Sequence, residues 1–346
     1  MPSALAAVRC DNLSWAPWAP VRPTASDPFE GALDDDVTSA LAGLAETGRP
    51  FALATIVAAD GGPRPVGSQL LVTSERSWGF LSGGCVEDDV ARHARAALRD
   101  GEPRRLAYGR GSPFFDIRLP CGGRIEVLVE AIRADDVAVL SLAQASAARR
   151  PVRYRSDGTA RALVLPEAPP EERWVVDRLH EPAQRLIVVG SDPFALAIAQ
   201  SGRHQSCAVA LVRPGGRGHP APLLDAACLD GPAGPALAAL APDAWTAIVV
   251  ATHDIEDDEA ALAAALRSDA GYVGALGSRR RLAERRARLL AGGLTTQLLD
   301  RLHAPVGLPI KARSPREVGL AVAAEVVALR DARRGASAAD ATLVAR

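Results

Sequence analysis

Two cysteines in the sequence each adjoin a pair of glycines, an arrangement that can bring a thiol to a ligand. The segments are Gly83-Gly84-Cys85, with Glu87 close behind, and Cys121-Gly122-Gly123. Glycine lets the backbone turn tightly and keeps side-chain bulk away, so N–H groups stay accessible. A thiol in such a turn suits a soft metal, a transferable sulfur or a ligand that the backbone approaches. The alternative is two tight turns with buried thiols, because free cysteine is commonly buried.

The wide spacing of these cysteines argues against a metal site made by the protein alone. Structural zinc sites take four ligands, and their cysteines usually come in closely spaced pairs. The residues offered here are Cys85 and Cys121, with Glu87 as a neighbouring acid. We therefore predict no metal that the protein binds directly.

A second group of candidate residues follows a short aliphatic strand, as in dinucleotide-binding proteins. The segment is Gly190-Ser191-Asp192-Pro193-Phe194-Ala195. In the fingerprint G-x-G-x-x-G/A, the second glycine lets the backbone approach a pyrophosphate. Asp192 takes that position, and Arg213 stands near the end of the next strand, where an acid would bind a ribose hydroxyl. Two interpretations stay open: an NAD(P) site, or a Rossmann domain whose dinucleotide site is weakened or altered.

Polar residues also follow two later strands. They are Thr252-His253-Asp254 and Gly277-Ser278-Arg279. The carboxyl ends of strands in an open α/β sheet line the ligand crevice, where His253 can do acid–base work. Spacing favours a local role, with Asp254 beginning the next helix. The Gly277 segment opens an arginine-rich helix, which suits either a phosphate or a solvated face.

Hydrophobic patterns predict two domains with different architectures. The first-half strands are predicted at Phe51–Ala58, Gln69–Thr73, Trp78–Leu81, Arg104–Tyr108 and Arg124–Ala131, with helices at Val37–Thr47, Val86–Leu98 and Ala134–Ala148 and a hairpin at 151–165. The second-half strands are predicted at Arg185–Val189, Cys207–Val212, Ala247–Thr252 and Tyr272–Leu276, alternating with helices at Pro193–Gly202, Glu256–Arg267 and Ser278–Ala291. A last helix runs from a capping box at Ser314 to about Arg330.

This pattern predicts an α/β protein in which a mixed α/β domain precedes a Rossmann-like, doubly wound parallel sheet. We place the first domain at residues 34–170 and the second at 183–332. An irregular arm is expected at 1–33 and a flexible tail at 333–346.

Composition excludes several classes of protein. Forty basic residues face 41 acidic ones, for a net charge of -1, so no nucleic-acid partner is expected. No apolar run is long enough for a membrane span. Five widely spaced cysteines indicate reduced thiols in the cytoplasm rather than a disulfide framework. The basic set holds a single lysine, Lys311.

Several motifs together resemble the XdhC/CoxI family, over roughly residues 37–330. The motifs are Gly61–Ser68, Leu81–Glu87, Leu119–Glu130, Ala251–Asp254, Tyr272–Arg280 and Ala304–Ile310. Each is modest alone, but their order and spacing are specific.

The resemblance implies an accessory protein of xanthine dehydrogenase and related molybdenum hydroxylases, a chaperone more than an enzyme. Such a protein binds the molybdenum cofactor (molybdopterin form), protects it, supports its sulfuration with a cysteine desulfurase, and inserts it into the apo-hydroxylase. It also implies that Cys85 and Cys121 contact the cofactor, which brings its own molybdenum, and that either thiol can reach that metal. The rest of the implied cofactor site is Glu87 and the adjoining glycines, Gly83, Gly84, Gly122 and Gly123. A homodimer is a further expected partner.

Departures from the family pattern leave alternatives open. Asp192 and Arg213 differ from its usual nucleotide-site residues, and Lys311 stands where it usually has glycine. We predict either that the charge of Lys311 has a local role near the domain cleft, or that the requirement for glycine at this site is relaxed in this chain. The competing functions are an NAD(P)-linked oxidoreductase that uses the second domain, with His253 as acid–base, and an interaction scaffold.

Overall fold

The computed structural model describes residue 33 and residues 36–112, 119–215 and 226–343, with side chains as far as Arg330. The chain divides into two compact units between Pro182 and Ala183. The predicted N-terminal arm lies outside the described residues, apart from Leu33. Among the described residues, no helix is long and apolar enough to cross a membrane.

The first unit is a mixed α/β structure with two antiparallel sheets. Its elements are α1 (Thr38–Thr47), β1 (Phe51–Asp60), β2 (Gln69–Val72), β3 (Ser77–Gly79), α2 (Glu87–Asp100), β4 (Arg104–Gly109), β5 (Arg124–Ile132), α3 (Val137–Ala147), β6 (Val152–Ser156), β7 (Arg161–Val164) and β8 (Val176–His180). The larger sheet has the order β3-β2-β1-β5-β4, and the smaller has the order β7-β6-β8.

The central strand β1 is buried on both faces, which explains its continuous apolar run. Ala52, Ala54 and Ile56 belong to the core cluster that also contains the apolar face of α2. Phe51 and Leu53 belong to the cluster that contains residues of α1 and α3. This alternation is the two-residue period of a strand between two helical layers.

Strand β8 was not predicted, because its sequence, Val-Asp-Arg-Leu-His, has neither an apolar run nor a regular alternation of apolar and polar residues, and it follows a polar region. It pairs antiparallel with β6, and Tyr154 lies opposite Arg178. The first unit therefore runs past residue 170, where we expected it to end.

The second unit is the Rossmann-like domain that the sequence predicts. Its elements are β9 (Arg185–Val189), α4 (Pro193–His204), β10 (Ala208–Arg213), β11 (Ala227–Asp230), α5 (Ala233–Leu240), β12 (Thr246–Val250), α6 (Ile255–Arg267), β13 (Tyr272–Ala275), α7 (Arg279–Ala291), α8 (Thr296–Leu299), β14 (Leu302–His303) and α9 (Pro315–Leu343). All pairings in its sheet are parallel, with the order β11-β10-β9-β12-β13-β14. In order of appearance this is 3-2-1-4-5-6, the dinucleotide-fold arrangement.

Several parts of the second unit differ from the prediction. Strands β11 and β14 and helices α5 and α8 were missed, because each is short and α5 carries Gly234 and Pro235 in its first turn, where they obscure the helical pattern. The flexible tail expected from residue 333 instead begins as helix, since the backbone of α9 continues to Leu343. The physical reason is composition, because this stretch is rich in alanine, the strongest helix former.

Candidate functional site

Both cysteine turns lie at one edge of the larger sheet in the first unit. Asp60, the last residue of β1, pairs with Arg124, the first residue of β5. Gly109, which ends β4, also pairs with Arg124. The turns after β1 and β4 and the turn before β5 therefore share an edge. Strand β3 ends at the same edge, because it runs antiparallel to β2 and β2 runs antiparallel to β1.

The glycines near Cys121 are needed for close backbone packing at this edge. A Cβ added at Gly123 would lie 2.1 Å from the Gly61 carbonyl oxygen, and one at Gly109 would lie 2.0 Å from the Gly123 carbonyl oxygen. Real side chains do not tolerate such distances. Gly122 has a φ of 71° and donates its N–H to the Leu119 carbonyl at 2.9 Å. These two predicted site glycines therefore shape the turn that carries Cys121.

A single carboxylate holds the turn that carries Cys85. Glu87 Oε1 accepts hydrogen bonds from the backbone N–H groups of Leu81 (2.9 Å) and Ser82 (2.6 Å). Its Oε2 accepts from the Ser82 hydroxyl at 2.7 Å and from the Gly84 N–H at 2.9 Å. Burial would raise the pKa of the Glu87 carboxyl, but the Ser82 hydroxyl and these backbone bonds lower it below its ordinary value. Glu87 is thus an ionised structural anchor.

This geometry corrects the expectation that the turn offers its backbone donors to a ligand. The Gly84 N–H is taken by Glu87, and the Cys85 N–H donates to the Ser82 hydroxyl at 3.0 Å. The thiols themselves remain available, because Cys85 and Cys121 are both exposed. Exposure excludes the alternative of two buried thiols.

An arginine that the sequence analysis did not select lies beside the Cys85 turn. The Arg64 guanidinium carbon sits 5.7 Å from the centre of the Phe80 ring, a cation–π distance. The Cζ atom of Phe80 would be 3.7 Å from a Cβ on Gly83. The Gly61–Ser68 loop thereby places the half-buried Arg64 guanidinium against the Phe80 ring, which packs next to Gly83 in the Cys85 turn. Its place in a proline- and glycine-rich motif was the only sequence signal.

Helix α2 is fixed to the sheet by a buried polar contact. Asp89, in the first turn of α2, accepts a hydrogen bond from the Tyr108 hydroxyl at 2.7 Å and pairs with Arg92 at 2.7 Å. Burial and the Asp89 contact raise the pKa of Tyr108. This contact ties the helix that follows Cys85 to β4.

In the second unit, the structure joins Asp192 to His253 at the carboxyl edge of the sheet. Asp192 caps α4, and its Oδ1 accepts from the Ala195 N–H at 2.7 Å. The His253 Nε2–H donates to Asp192 Oδ2 at 2.7 Å. A Cβ at Gly190 would lie 2.4 Å from the Ala251 carbonyl oxygen. The segments after β9 and β12 are therefore too close for a side chain at position 190. Sequence spacing could not show this pair, because its members are 61 residues apart.

The neighbouring predicted residues take local roles. Asp254 caps α6 by accepting from the N–H groups of Glu256 and Asp257. The Thr252 hydroxyl donates to Asp258 at 3.4 Å, at the long limit of a hydrogen bond.

The Gly277-Ser278-Arg279 turn is supported by a buried ion pair that sequence reasoning missed. Arg285 lies under Gly277 and donates to Asp258 Oδ2 at 2.8 Å and to the Leu276 carbonyl at 3.1 Å. Burial raises the pKa of Asp258, although Arg285 opposes the shift. Ser278 begins α7 without a side-chain cap bond, and Arg279 is exposed. The Arg285–Asp258 pair thus supports the end of β13.

Lys311 adopts the conformation that favours glycine. Its φ is 59°, and its side chain is exposed. A non-glycine residue in this region costs about 1 kcal/mol. The capping box predicted just beyond it is present, since Glu317 Oε2 accepts from the Ser314 N–H at 3.0 Å and Ser314 Oγ accepts from the Glu317 N–H at 3.3 Å.

Among the described residues, no group of three or more His, Cys, Asp or Glu side chains is placed to hold a metal ion.

Comparison with known proteins finds similarity along most of the chain. Residues 44–109 match the family described as the XdhC and CoxI family, and residues 186–326 match the one described as the XdhC Rossmann domain. The Escherichia coli (strain K12) protein named molybdenum cofactor insertion chaperone PaoD is 32% identical over 311 residues, 88% of this chain and 92% of that protein. A Bacillus subtilis (strain 168) protein, named as a probable subunit of xanthine dehydrogenase, is 26% identical over 333 residues, 83% of this chain and 95% of that protein.

A solved structure shares the fold. The crystal structure of a protein from Bacillus halodurans, described as a xanthine dehydrogenase, superposes with a TM-score of 0.69 and 23% sequence identity. The match covers 86% of this chain and 96% of that chain.

Proposed function

Because the chain belongs to the XdhC and CoxI family, we propose that it binds the molybdenum cofactor as cargo and inserts it into a xanthine dehydrogenase-type molybdenum hydroxylase. The relative named as a molybdenum cofactor insertion chaperone matches nearly the whole chain, which supports an accessory role. The observation that carries the proposal is the pair of exposed thiols, Cys85 and Cys121, in turns at one edge of one sheet.

The chemistry of this edge fits such a cargo. Thiolates are preferred ligands of soft metals, and both thiols are exposed. The molybdopterin phosphate is an anion, and a guanidinium such as that of Arg64 binds phosphate by charge-assisted hydrogen bonds. Glu87 is fully used in holding the Cys85 turn, so its carboxylate positions the thiol and leaves the cargo to neighbouring groups.

The internal hydrogen bonds and close packing of the two turns support the binding of a labile cargo. Glu87 and Ser82 satisfy the backbone around Cys85, and glycine packing fixes the Cys121 turn. A preorganised site loses little conformational freedom when it binds. We extend the proposal to protection of the cofactor and to support of its sulfuration by a cysteine desulfurase. Exposed thiols at one edge of the sheet can face both a sulfur donor and the metal. The homodimer and the cytoplasmic location stay predictions.

The test is the pterin content of protein purified from cells that make molybdenum cofactor, read as fluorescence after oxidation. We expect the wild-type chain to carry pterin, and Cys85→Ala or Cys121→Ala to lose at least about tenfold in affinity, or roughly 1.4 kcal/mol. Cys207→Ala is the matched control, because Cys207 is a half-buried thiol in the second unit. Equal pterin loads in all four proteins would contradict the proposal.

A further inference from the structure

The second unit has the strand order and the strand–turn–helix unit of a dinucleotide site. Strands β9 and β12 are neighbours at the point where the strand order reverses, and α4 follows β9 after a glycine turn. In dinucleotide-binding folds the pyrophosphate rests at this switch point, on the N-terminus of the first helix. The side chains at the switch point decide whether an anion can rest there.

The chain supplies its own anion at that point. The Asp192 carboxylate is 12% exposed, and its two oxygens are bound by the Ala195 N–H and by His253, each at 2.7 Å. His253 is 71% exposed, so it covers the carboxylate from the solvent side. A pyrophosphate in this place would meet a like charge and would compete for the same donors.

We infer that Asp192, clamped by His253, closes the dinucleotide site of this Rossmann unit, and that removing the carboxylate opens it. The ligand class follows from the next strand, because Arg213 ends β10 and an arginine there suits a 2′-phosphate. The Ser191 hydroxyl donates to the Pro214 carbonyl at 3.1 Å, which holds the loops after β9 and β10 together. The latent site is therefore one for a phosphorylated nicotinamide dinucleotide.

This inference concerns the second unit alone and does not depend on the proposed cargo function. Titration of the purified full-length chain with NADPH, followed by calorimetry, tests it. We expect no saturable binding by the wild-type chain up to about 1 mM, and a Kd below about 1 mM for Asp192→Gly. Asp192→Asn keeps a capping side chain while it removes the charge, and we expect it to bind NADPH as well.

Two control variants test whether the Asp192 charge itself, rather than helix capping or His253, prevents binding. Asp254→Asn changes an equivalent helix cap that has no histidine partner among the described residues, and should not gain binding. His253→Asn removes the clamp but keeps the Asp192 charge, and should gain little. Binding of NADPH by the wild-type chain below about 1 mM would overturn the inference. Failure of both Asp192 variants to gain binding, with native circular dichroism, would also overturn it.

Discussion

Both units place a carboxylate at a helix N-terminus after a glycine turn, but the two carboxylates have opposite effects on the site beside them. Each has a glycine turn that leads into a helix, and each places a carboxylate at that helix N-terminus: Glu87 is the first residue of α2, and Asp192 caps α4. Glu87 lies beneath its turn and binds the backbone, so Cys85 remains exposed. Asp192 lies where a ligand would lie and is covered by His253. An acid near a glycine turn can therefore build a site or fill one, depending on which groups it binds.

The largest expected effect comes from disrupting the backbone packing at the sheet edge that carries Cys85 and Cys121. Gly123→Ala should lower the free energy of unfolding of the first unit by about 3 kcal/mol or more, because its Cβ would lie 2.1 Å from the Gly61 carbonyl oxygen. Gly122→Ala, with nothing within 4 Å of its Cβ but a φ of 71°, should cost only about 1 kcal/mol. Urea unfolding followed by hydrogen exchange of β1 and β5 measures both. Equal losses would contradict the packing argument.

The two units should also differ in how their free energy of unfolding changes as the pH falls. His180 is 3% exposed, and burial lowers its pKa from 6.5 to about 3. Its Nδ1 lies 2.7 Å from Thr38 Oγ1, whose proton goes to Asp36, so the His180 Nδ1–H donates to the hydroxyl. The lowered pKa keeps the ring neutral. The folded state binds the proton less well than the unfolded chain does. The first unit therefore loses stability as pH falls below 6.5, by about 2 kcal/mol at pH 5.

Hydrogen exchange of β6 and β8 across this pH range gives the measurement. His180→Gln should flatten the dependence. His253→Gln changes a residue of the second unit and should leave the exchange of β6 and β8 unchanged. A pH slope that persists in the His180 variant would assign the effect to other groups.

Removing the charge that holds the Cys85 turn should have a smaller effect on stability. Glu87→Gln should cost about 1.5 kcal/mol, because it replaces charge-assisted hydrogen bonds with weaker ones. Since the folded pKa of Glu87 lies below 4.5, its contribution is present above pH 4.5 and is lost as pH falls through the folded value. The variant should therefore lose part of the acid sensitivity of the first unit. Asp88→Asn, in the same helical turn, is the control.

The smallest expected effect concerns Lys311. Lys311→Gly should stabilise the second unit by about 0.5 kcal/mol, because relief of the φ strain exceeds the entropy cost of glycine. Thermal unfolding measures the change. Loss of cargo binding in this variant would instead assign a local role to the charge.

The sequence predicted the elements with strong apolar patterns better than it predicted the roles of polar residues. Strand β9 and the parallel sheet were predictable because short aliphatic runs alternate with helices. Strand β8 was not, since its residues show neither an apolar run nor a two-residue period, and its pairing with β6 is a contact that the sequence does not reveal.

Roles within the site depend on contacts that spacing does not reveal. In sequence, an acid that anchors a turn looks like an acid that faces a ligand, so Glu87 was assigned to the cofactor. The Asp192–His253 pair and the contact of Arg64 with Phe80 each join distant or unrelated segments. Only the folded chain brings them together.

The most direct test of the central claim, that the exposed thiols hold the cargo metal, is molybdenum K-edge X-ray absorption of the loaded protein. We expect the wild-type and Cys207→Ala proteins to show the same number of sulfur neighbours at molybdenum. The double variant with Cys85→Ala and Cys121→Ala should show fewer sulfur neighbours or carry no molybdenum. A double variant that keeps its full molybdenum content and an unchanged spectrum would contradict the account.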